Sequence, residues 1–360
     1  MDDFLVDLKE ALGLRDSGAL FLDARSPREF AEATVPGALN LPVLGDEERA
    51  RVGLAYKRQG AGAARLLAVD LVAPRIPELV RAALAAQGRA NRKIVVFCWR
   101  GGERSRALTT FLRLAGLPAV QLRQGHKGFR RQVSDFFAQV RWGRLLVLRG
   151  LTGVGKTAFL GRLGAQGHPV IDLEALANHR GSAFGALGLG VQPSQKMFEA
   201  LLWDALRRIP EDGYCLVEGE SRHIGKCQLP PRVYQAMQEQ TSLWLNASLD
   251  TRVARILRDY PVAAAARELY RAPICALRPR LGTEVVERLL GLLDDEDWSA
   301  LVRELMVLYY DPLYRHSLPA RRLEIDVDDE DGAARHIAAA IAQLLAGGVA
   351  PIGVAEVLPA

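Results

Sequence analysis

The sequence is poor in cysteine and has no long apolar run, and these absences exclude several classes of protein. Four cysteines among 360 residues, none in a C-x-x-C pair, exclude a disulfide scaffold and a paired-cysteine zinc site. No stretch reaches the ~18–20 consecutive apolar residues of a membrane-spanning helix. The acidic start Met1-Asp2-Asp3 argues against a signal peptide. We therefore expect a soluble, cytoplasmic protein with no membrane partner.

Length and composition favour two globular domains. The 360 residues exceed the ~100–200 residues of one ordinary domain, while 49% hydrophobic and 25% charged residues are average for a globular chain. The net charge of +5 says little, but the distribution of charge says more. Between Arg89 and Arg149 there are fourteen basic residues and only two acidic ones, Glu103 and Asp135. Such a block indicates either a polyanionic partner or an ordinary solvated surface.

Both halves of the chain show the alternation of strands and helices that is typical of α/β folds. In the first third, apolar runs predict strands at 19–22, 93–97 and 118–122, with a helix over 105–114. Beyond a boundary near Trp142, the pattern predicts strands at 144–149, 169–172, 214–217 and 242–245, and helices at 194–208, 250–259 and 284–293. Strands separated by helices imply parallel sheets. We therefore predict α/β domains over residues 1–140 and 144–346, and a loosely held tail over 347–360.

One cysteine follows a buried strand and precedes a helix. In the segment Cys98–Ser105, several backbone N–H groups and a helix N-terminus are expected to face the sulfur. Together with Arg100 and Arg104, this setting favours the thiolate, which can attack a group carried on a tetrahedral oxyanion. The alternative is a buried structural cysteine at a strand end. Cys98, Arg100 and Arg104 are therefore the candidate catalytic residues.

A glycine-rich loop opens the second domain. The segment Gly150–Thr157, GLTGVGKT, follows an apolar strand and fits the P-loop pattern G-x-x-x-x-G-K-[ST]. Its backbone N–H groups and the Lys156 ammonium are expected to hold phosphate, and the Thr157 hydroxyl can ligate Mg²⁺. The alternative is a loop that has lost its function. The candidate phosphate-binding residues are Gly150, Gly153, Gly155, Lys156 and Thr157.

Polar residues after later strands form a second group of candidates. Glu218 ends the strand at 214–217, and Asp172 follows another strand in the same way. Arg180, Arg222 and Lys226 lie in polar, glycine-rich stretches and could hold phosphates. Glu218 is a candidate second metal contact or simply an exposed strand-end acid, and a solvated loop is the alternative for the basic residues. No set of residues is assigned as a protein metal site.

The first domain resembles the rhodanese family in three segments that occur in the family's order. Asp23–Phe30 is similar to its Asp-x-Arg-x-x-x-Glu-Phe, Val35–Pro42 to its Ile-Pro-Gly-Ala-x-Asn-Ile-Pro, and Cys98–Ser105 to its active-site loop. Five residues separate Cys98 from Arg104, whereas small sulfurtransferases of this fold usually have four. The resemblance thus implies a wider cradle, as in the related phosphatases, which suits a phosphate-sized group better than thiosulfate.

A rhodanese-like domain followed by a P-loop NTPase-like α/β domain resembles the bacterial tRNA 2-selenouridine synthases. Gly125–Arg131, Leu173–Ser182 and Tyr309–Pro312 carry the resemblance together with the Cys98 segment and the P-loop, so it spans nearly the whole chain. It implies an enzyme that replaces the 2-thio sulfur of a wobble 2-thiouridine in tRNA with selenium from selenophosphate. The route passes through an S-geranylated intermediate made from geranyl diphosphate. Cys98 is then expected to attack the selenium of selenophosphate and release phosphate.

The same resemblance implies roles for other residues. The basic residues Arg123, Lys127, Arg130 and Arg131 are expected to follow the tRNA backbone. The P-loop is expected to hold geranyl diphosphate, a nucleotide or tRNA phosphate, with Mg²⁺ as an optional ion. Two other functions stay open, namely a sulfurtransferase or phosphatase regulated by a nucleotide-binding P-loop domain, and a non-catalytic adaptor that binds tRNA or nucleotide.

Overall fold

Two parallel sheets, each built from buried apolar strands, organise the chain. The computed structural model describes residues 4–88, 91–139, 142–260, 267–315, 318–347 and 356–357. The chain divides into one unit made of the residues before Arg141 together with Lys196–Asp204, and a second unit made of the remaining residues. Within the described ranges, no helix is both long and apolar enough to cross a bilayer.

The first sheet has five parallel strands in the order β1-β5-β4-β2-β3. Its strands are β1 (Leu5–Val6), β2 (Leu20–Asp23), β3 (Leu39–Asn40), β4 (Ile94–Phe97) and β5 (Ala119–Leu122). Every residue of β2 and β4 is buried, as expected for a parallel sheet that is covered on both faces. β4 is the central strand, and Cys98 directly follows it. Cys98 therefore lies at the carboxyl edge of the sheet, where open α/β folds bind ligands.

Six α-helices lie among the described residues of the first unit that precede Arg141. They are α1 (Leu8–Asp16), α2 (Pro27–Glu32), α3 (Asp46–Val72), α4 (Ile76–Gln87), α5 (Glu103–Leu114) and α6 (Gly125–Gln139). Helix α3 is interrupted at Gly60, whose φ of 87° is not helical. The predicted helix over 105–114 is present as α5, which begins two residues earlier, so that its N-terminus reaches the Cys98 segment.

The second sheet has six parallel strands in the order β13-β12-β11-β6-β8-β7, with a separate two-stranded hairpin of β9 and β10. The strands are β6 (Arg144–Gly150), β7 (Val170–Ile171), β8 (Tyr214–Glu218), β9 (His223–Ile224), β10 (Cys227–Gln228), β11 (Ser242–Asn246), β12 (Arg322–Asp326) and β13 (Glu356–Val357). In the predicted tail, Glu356–Val357 pair with β12, while residues 348–355 and 358–360 lie outside the described residues. Strand β6 lies between β11 and β8, so the P-loop leaves the centre of the carboxyl edge.

Eleven helices follow β6 in the described chain. They are α7 (Lys156–Ala165), α8 (Leu173–Ala177), α9 (Gln195–Leu206), α10 (Pro231–Glu239), α11 (Leu249–Asp259), α12 (Arg267–Ala276), α13 (Arg278–Leu281), α14 (Thr283–Asp294), α15 (Trp298–Leu305), α16 (Asp311–Arg315) and α17 (Glu330–Leu345). A π-helical turn, Met306–Tyr310, joins α15 to α16. Apolar residues of α12, α14 and α15 form a core cluster of their own, apart from the cluster beneath the sheet.

Most of helix α9 belongs to the first unit, although it follows the P-loop in sequence. Three ion pairs, each 2.5–2.6 Å long, fasten it there: Lys196–Glu32, Arg130–Glu199 and Arg15–Asp204. The Trp203 ring is 2% exposed and packs edge-on against Phe129, with ring centroids 5.1 Å apart. The helix predicted over 194–208 is therefore present and completes the core of the first unit.

Truncating Trp203, which packs α9 against Phe129, tests this packing. Because Trp203 is fully buried against Phe129, we expect Trp203→Ala to lower the free energy of unfolding of the first unit by about 3–5 kcal/mol. Hydrogen exchange of the β4 amides in the full chain measures that energy. The control is Leu114→Ala, whose side chain is 83% exposed and should change it by less than about 0.5 kcal/mol. Equal effects of the two variants would show that α9 is not part of this core.

Candidate functional site

The Cys98 sulfur is buried and accepts two hydrogen bonds. The backbone N–H of Gly102 donates to Sγ at 3.3 Å, and the Ser105 hydroxyl does so at 3.1 Å. Gln121 Nε2 in turn donates to Ser105 Oγ at 2.9 Å. Ser105 therefore keeps its own hydrogen for Sγ or for the Gly102 carbonyl, which is also 3.1 Å away. Both donors stabilise a negative charge on the sulfur.

The peptide groups of the Cys98 loop (residues 98–104) have a common orientation. The carbonyls of Cys98 and Trp99 accept from the N–H groups of His126 and Lys127, each at 2.8 Å. The Gly101 carbonyl accepts from Gln121 Nε2 at 2.8 Å. Since a trans peptide points its C=O and N–H in opposite directions, these contacts turn the N–H groups of residues 99, 100 and 102 away from α6 and β5. Successive N–H groups turned to one side form an anion-binding concavity.

A glycine allows the Cys98 loop to lie directly against the start of α6. Gly125 has a φ of +53°, and a Cβ at this position would lie 2.2 Å from the Cys98 carbonyl oxygen. No other residue type could occupy this place without moving the loop. The hydrogen bond from His126 to the same carbonyl depends on this close approach.

The arginines of the loop differ in their surroundings. Arg104 Nη1 donates to Glu29 Oε2 at 2.5 Å, so the predicted Asp-x-Arg-x-x-x-Glu segment supplies the carboxylate that orients it. Burial opposes the charges, but this pairing outweighs it and both lowers the pKa of Glu29 and raises the pKa of Arg104. Arg100 is exposed to solvent. One arginine is thus fixed at the start of α5, and the other is open to a ligand.

A buried polar network supports the loop from below. The Asp23 carboxylate accepts from Arg25 Nε and Nη2 at 2.9 and 2.6 Å, and Arg25 Nη1 lies 3.2 Å from His126 Nδ1. Burial, and then the charge of Arg25, lower the pKa of His126 to about 3. The imidazole is therefore neutral, and its Nδ1 accepts from Arg25. The Trp99 ring, 39% exposed, lies 5.8 Å from the His126 ring, which gives Trp99 both a packing contact and an open face.

The basic residues predicted to follow tRNA lie on α6 and just before it. Arg123, Lys127 and Arg131 are exposed. Arg130 is engaged within the protein, because its guanidinium pairs with Glu199 at 2.6 Å and donates to the Lys196 carbonyl at 2.9 Å. Three of the four predicted cations are therefore available to a polyanion, while the fourth fastens α9.

The P-loop brings Lys156 and Thr157 next to carboxylates that follow other strands. Thr157 Oγ1 donates to Glu174 Oε2 at 3.0 Å, and the backbone N–H of Glu174 donates to Glu218 Oε1 at 2.8 Å. Burial opposes the charge of Lys156, but Tyr314 and the nearby carboxylates outweigh it and raise its pKa. The lysine is thus held in its protonated form.

Burial raises the pKa of two glutamates near Lys156, Glu218 and Glu220. Burial, and then the charge of Asp172, raise the pKa of Glu218 well above its ordinary value. Burial, and then the charge of Glu174, raise the pKa of Glu220 to about 7. Asp172 accepts from Ala175 N at 2.7 Å as the N-cap of α8. No three side chains of the described residues are grouped as metal ligands would be.

Two arginines of helix α11 fix the shape of the P-loop. Arg252 Nη1 donates to the Thr152 carbonyl at 3.2 Å, and Arg255 Nη1 donates to the Val154 carbonyl at 2.9 Å. The Arg252 guanidinium also makes a buried two-point pair with Asp311, at 2.8 and 2.9 Å. Asp311 belongs to the Tyr309–Pro312 segment of the sequence analysis, and this pair is its structural role.

The remaining predicted polar residues are spread over two places. Arg180 Nη1 donates to the Leu187 carbonyl at 2.7 Å, and its guanidinium lies over the Tyr260 ring at 4.9 Å. Arg222 and Lys226 are exposed at the β9–β10 hairpin. Asp172 and Glu218 thus lie at the P-loop, and Arg180 borders their cluster. Arg222 and Lys226, at the hairpin, are not among the described contacts of Lys156.

Several side chains at these sites are absent from the sequence-based assignments. Ser105 contacts the Cys98 sulfur directly, and Gln121 contacts it through the Ser105 hydroxyl. In the sequence, the signal for Gln121 was a polar residue within an apolar strand. Arg252 and Arg255 are three positions apart on one helix face and are both buried. Glu220 lies two residues after Glu218, which ends a strand and was assigned.

Replacing Glu220 tests the proton binding of this cluster. A folded-state pKa near 7, above the ordinary 4.5, means that the folded protein loses stability from this group as pH rises from about 4.5 to 7. We expect Glu220→Gln to reduce the loss of unfolding free energy between pH 4.5 and 8 by roughly 3 kcal/mol. Chemical denaturation at the two pH values measures it, with the exposed Glu211→Gln as the control. An unchanged pH dependence in Glu220→Gln would contradict the assignment.

Comparison with known proteins covers both units. Residues 143–344 match the model of the tRNA 2-selenouridine synthase AAA domain, and residues 7–132 match that of the rhodanese-like domain, which confirms the predicted α/β fold. A relative from Pseudomonas fluorescens, named tRNA 2-selenouridine synthase, is 36% identical over 87% of this chain and 92% of its own. Relatives of the same name are 33% identical in Nitrosomonas europaea, over 87% and 94%, and 38% identical in Cupriavidus necator, over 86% and 91%. The chain therefore belongs to the tRNA 2-selenouridine synthase family and is an enzyme of that type.

Proposed function

We propose that this protein replaces the 2-thio sulfur of a wobble 2-thiouridine in tRNA with selenium, in the cytoplasm. Selenophosphate supplies the selenium, and geranyl diphosphate first activates the sulfur. In the first step the sulfur attacks C1 of the geranyl group, the C1–O bond breaks, and diphosphate leaves with the electron pair. The N3 proton of the base passes to solvent. The product is an S-geranylated uridine, whose geranylthio group can then be displaced.

The Cys98 loop is the observation that carries this proposal. A buried sulfur accepts hydrogen bonds from Gly102 N–H and from the Ser105 hydroxyl, next to peptide N–H groups turned to one side. Such a site favours a thiolate beside a bound oxyanion. The five residues between Cys98 and Arg104 make room for a phosphate-sized donor.

The electron balance favours phosphorus over selenium as the atom that Cys98 attacks. Selenium in selenophosphate is already at the oxidation level of selenide. An Sγ–Se bond would therefore form with release of phosphate only if an external oxidant removed two electrons, and without one phosphorus would have to leave as phosphite. Attack on phosphorus needs no oxidant, because the Sγ–P bond forms, the P–Se bond breaks and the electron pair leaves with selenium as hydroselenide. The proposal therefore replaces the expected attack on selenium with phosphoryl transfer to Cys98.

Hydroselenide then completes the substitution on tRNA. It adds to C2 of the geranylated uridine, the C2–Se bond forms, and the C2–S bond breaks. Geranylthiolate leaves and takes a proton from water. Water finally hydrolyses the Sγ–P bond and returns the free thiolate and inorganic phosphate. Exposed Arg123, Lys127 and Arg131 are suited to hold the tRNA backbone during these steps.

The same cradle also supports a second function, hydrolysis of a small phosphate ester without tRNA. The wide loop and the phosphoryl-accepting sulfur are common to both reactions. The basic residues around α6 favour the tRNA reaction, since a small ester needs no exposed cationic surface.

A nucleoside assay with a cysteine variant tests the proposed function. We expect Cys98→Ser to form no 2-selenouridine, a loss of at least about a hundredfold, because the hydroxyl is a far weaker nucleophile. S-geranylated 2-thiouridine should still form, since that step does not use the sulfur. Mass spectrometry of tRNA nucleosides after incubation with both co-substrates measures the two products.

The matched control is Cys275→Ser, which changes a half-buried cysteine of α12 and should behave as the wild type. Selenouridine formation by Cys98→Ser would remove Cys98 from the reaction. Unmodified 2-thiouridine with the wild-type protein, together with hydrolysis of a small phosphate ester, would favour the second function.

A further inference from the structure

An apolar cavity, open to solvent at its mouth, lies in the second unit. The wall is formed largely by aromatic and aliphatic side chains, among them Phe184, Tyr270, Trp298, Leu301, Val302 and Leu305. Most of them come from α12, α15 and the neighbouring core cluster. A space of this kind beside well-packed helices is suited to a hydrocarbon group.

Three hydroxyl groups on the cavity wall contact one another. Ser182 Oγ and the Tyr260 hydroxyl lie 3.3 Å apart, and Ser182 is also a hydrogen-bond partner of Tyr310. Arg180 lies over the outer face of the Tyr260 ring at 4.9 Å. Polar ligand groups inside the cavity would therefore find few free partners, which disfavours a nucleobase.

The cavity borders the P-loop. Thr152, in the middle of the loop, is itself a wall residue. Met306, another wall residue, is so close to the loop that a Cβ on Gly153 would lie 2.9 Å from its Cε atom. A ligand whose phosphates occupy the loop can therefore extend its remaining part into the apolar space.

We infer that this cavity holds the hydrocarbon chain of a prenyl diphosphate whose phosphates lie on the P-loop. The inference rests on the proposed function and assigns the geranyl chain to a place in the fold. It also answers the question that the P-loop motif leaves open, because a phosphate cradle continuous with an apolar cavity selects an amphipathic diphosphate ester over a nucleotide. Arg180, at the border between Tyr260 and the Glu174 cluster, is placed to contact the diphosphate end.

Filling the cavity tests the inference by direct binding measurement. Calorimetry of the full chain is performed with geranyl diphosphate, dimethylallyl diphosphate, inorganic diphosphate and ADP. The wild type should bind geranyl diphosphate at least about 30-fold more tightly than the five-carbon dimethylallyl ester, because the longer chain buries more carbon. Val302→Trp should weaken geranyl diphosphate to within about threefold of inorganic diphosphate, whose own affinity stays unchanged.

The control places the same ring outside the cavity. Val307 is 47% exposed and is not a wall residue, so Val307→Trp should bind all four ligands as the wild type does. Unchanged geranyl diphosphate binding in Val302→Trp, or a loss confined to ADP, would overturn the inference. Selenation of tRNA that is geranylated beforehand separates this result from the proposed function. If the wild type forms selenouridine from that tRNA while Val302→Trp binds geranyl diphosphate as tightly as the wild type does, the function stands and the inference falls.

Discussion

The orientation of three peptide groups in the Cys98 loop is the constraint on which the first site depends. Contacts from His126, Lys127 and Gln121 hold the loop carbonyls on one side, so the corresponding N–H groups face the other. The close approach at Gly125 makes those contacts possible. A thiolate and an incoming oxyanion both benefit from such fixed dipoles, because no reorganisation is needed when charge moves between them. Within this loop the buried Cys98 sulfur also accepts hydrogen bonds from the Gly102 N–H and the Ser105 hydroxyl.

At the second site, too, contacts to backbone carbonyls fix the shape of a loop. Arg252 and Arg255 hold the P-loop carbonyls, and Asp311 neutralises Arg252, so the loop shape is fixed before any ligand binds. On one side the loop meets the buried carboxylates around Lys156, and on the other it meets an apolar wall. The charged groups at Lys156 and the apolar wall of the cavity are therefore both next to the P-loop. That pairing is what a prenyl diphosphate requires.

The sequence predicted the parts of this structure that depend on local pattern. Buried runs such as 93–97 and 144–149 became central strands, and the two glycine-containing loops lie at the carboxyl edges expected of parallel sheets. The edge strand Leu5–Val6 is too short to leave a period. The place of Trp203 in the first unit depends on contacts with distant Phe129, and the cavity wall draws residues from Thr152 to Tyr310. Neither arrangement has a local signature, so neither could be predicted from spacing.

Capture of the covalent intermediate tests the central claim, that Cys98 accepts the phosphoryl group and so releases selenium as hydroselenide. The protein is mixed with geranylated tRNA and selenophosphate that carries radioactive phosphorus or radioactive selenium, and is denatured within the first turnover. The account predicts that the phosphorus label is bound to the wild-type protein and is absent from Cys98→Ser, while the selenium label is found in tRNA and not on the protein. Selenium bound to Cys98 with no phosphorus label would contradict it.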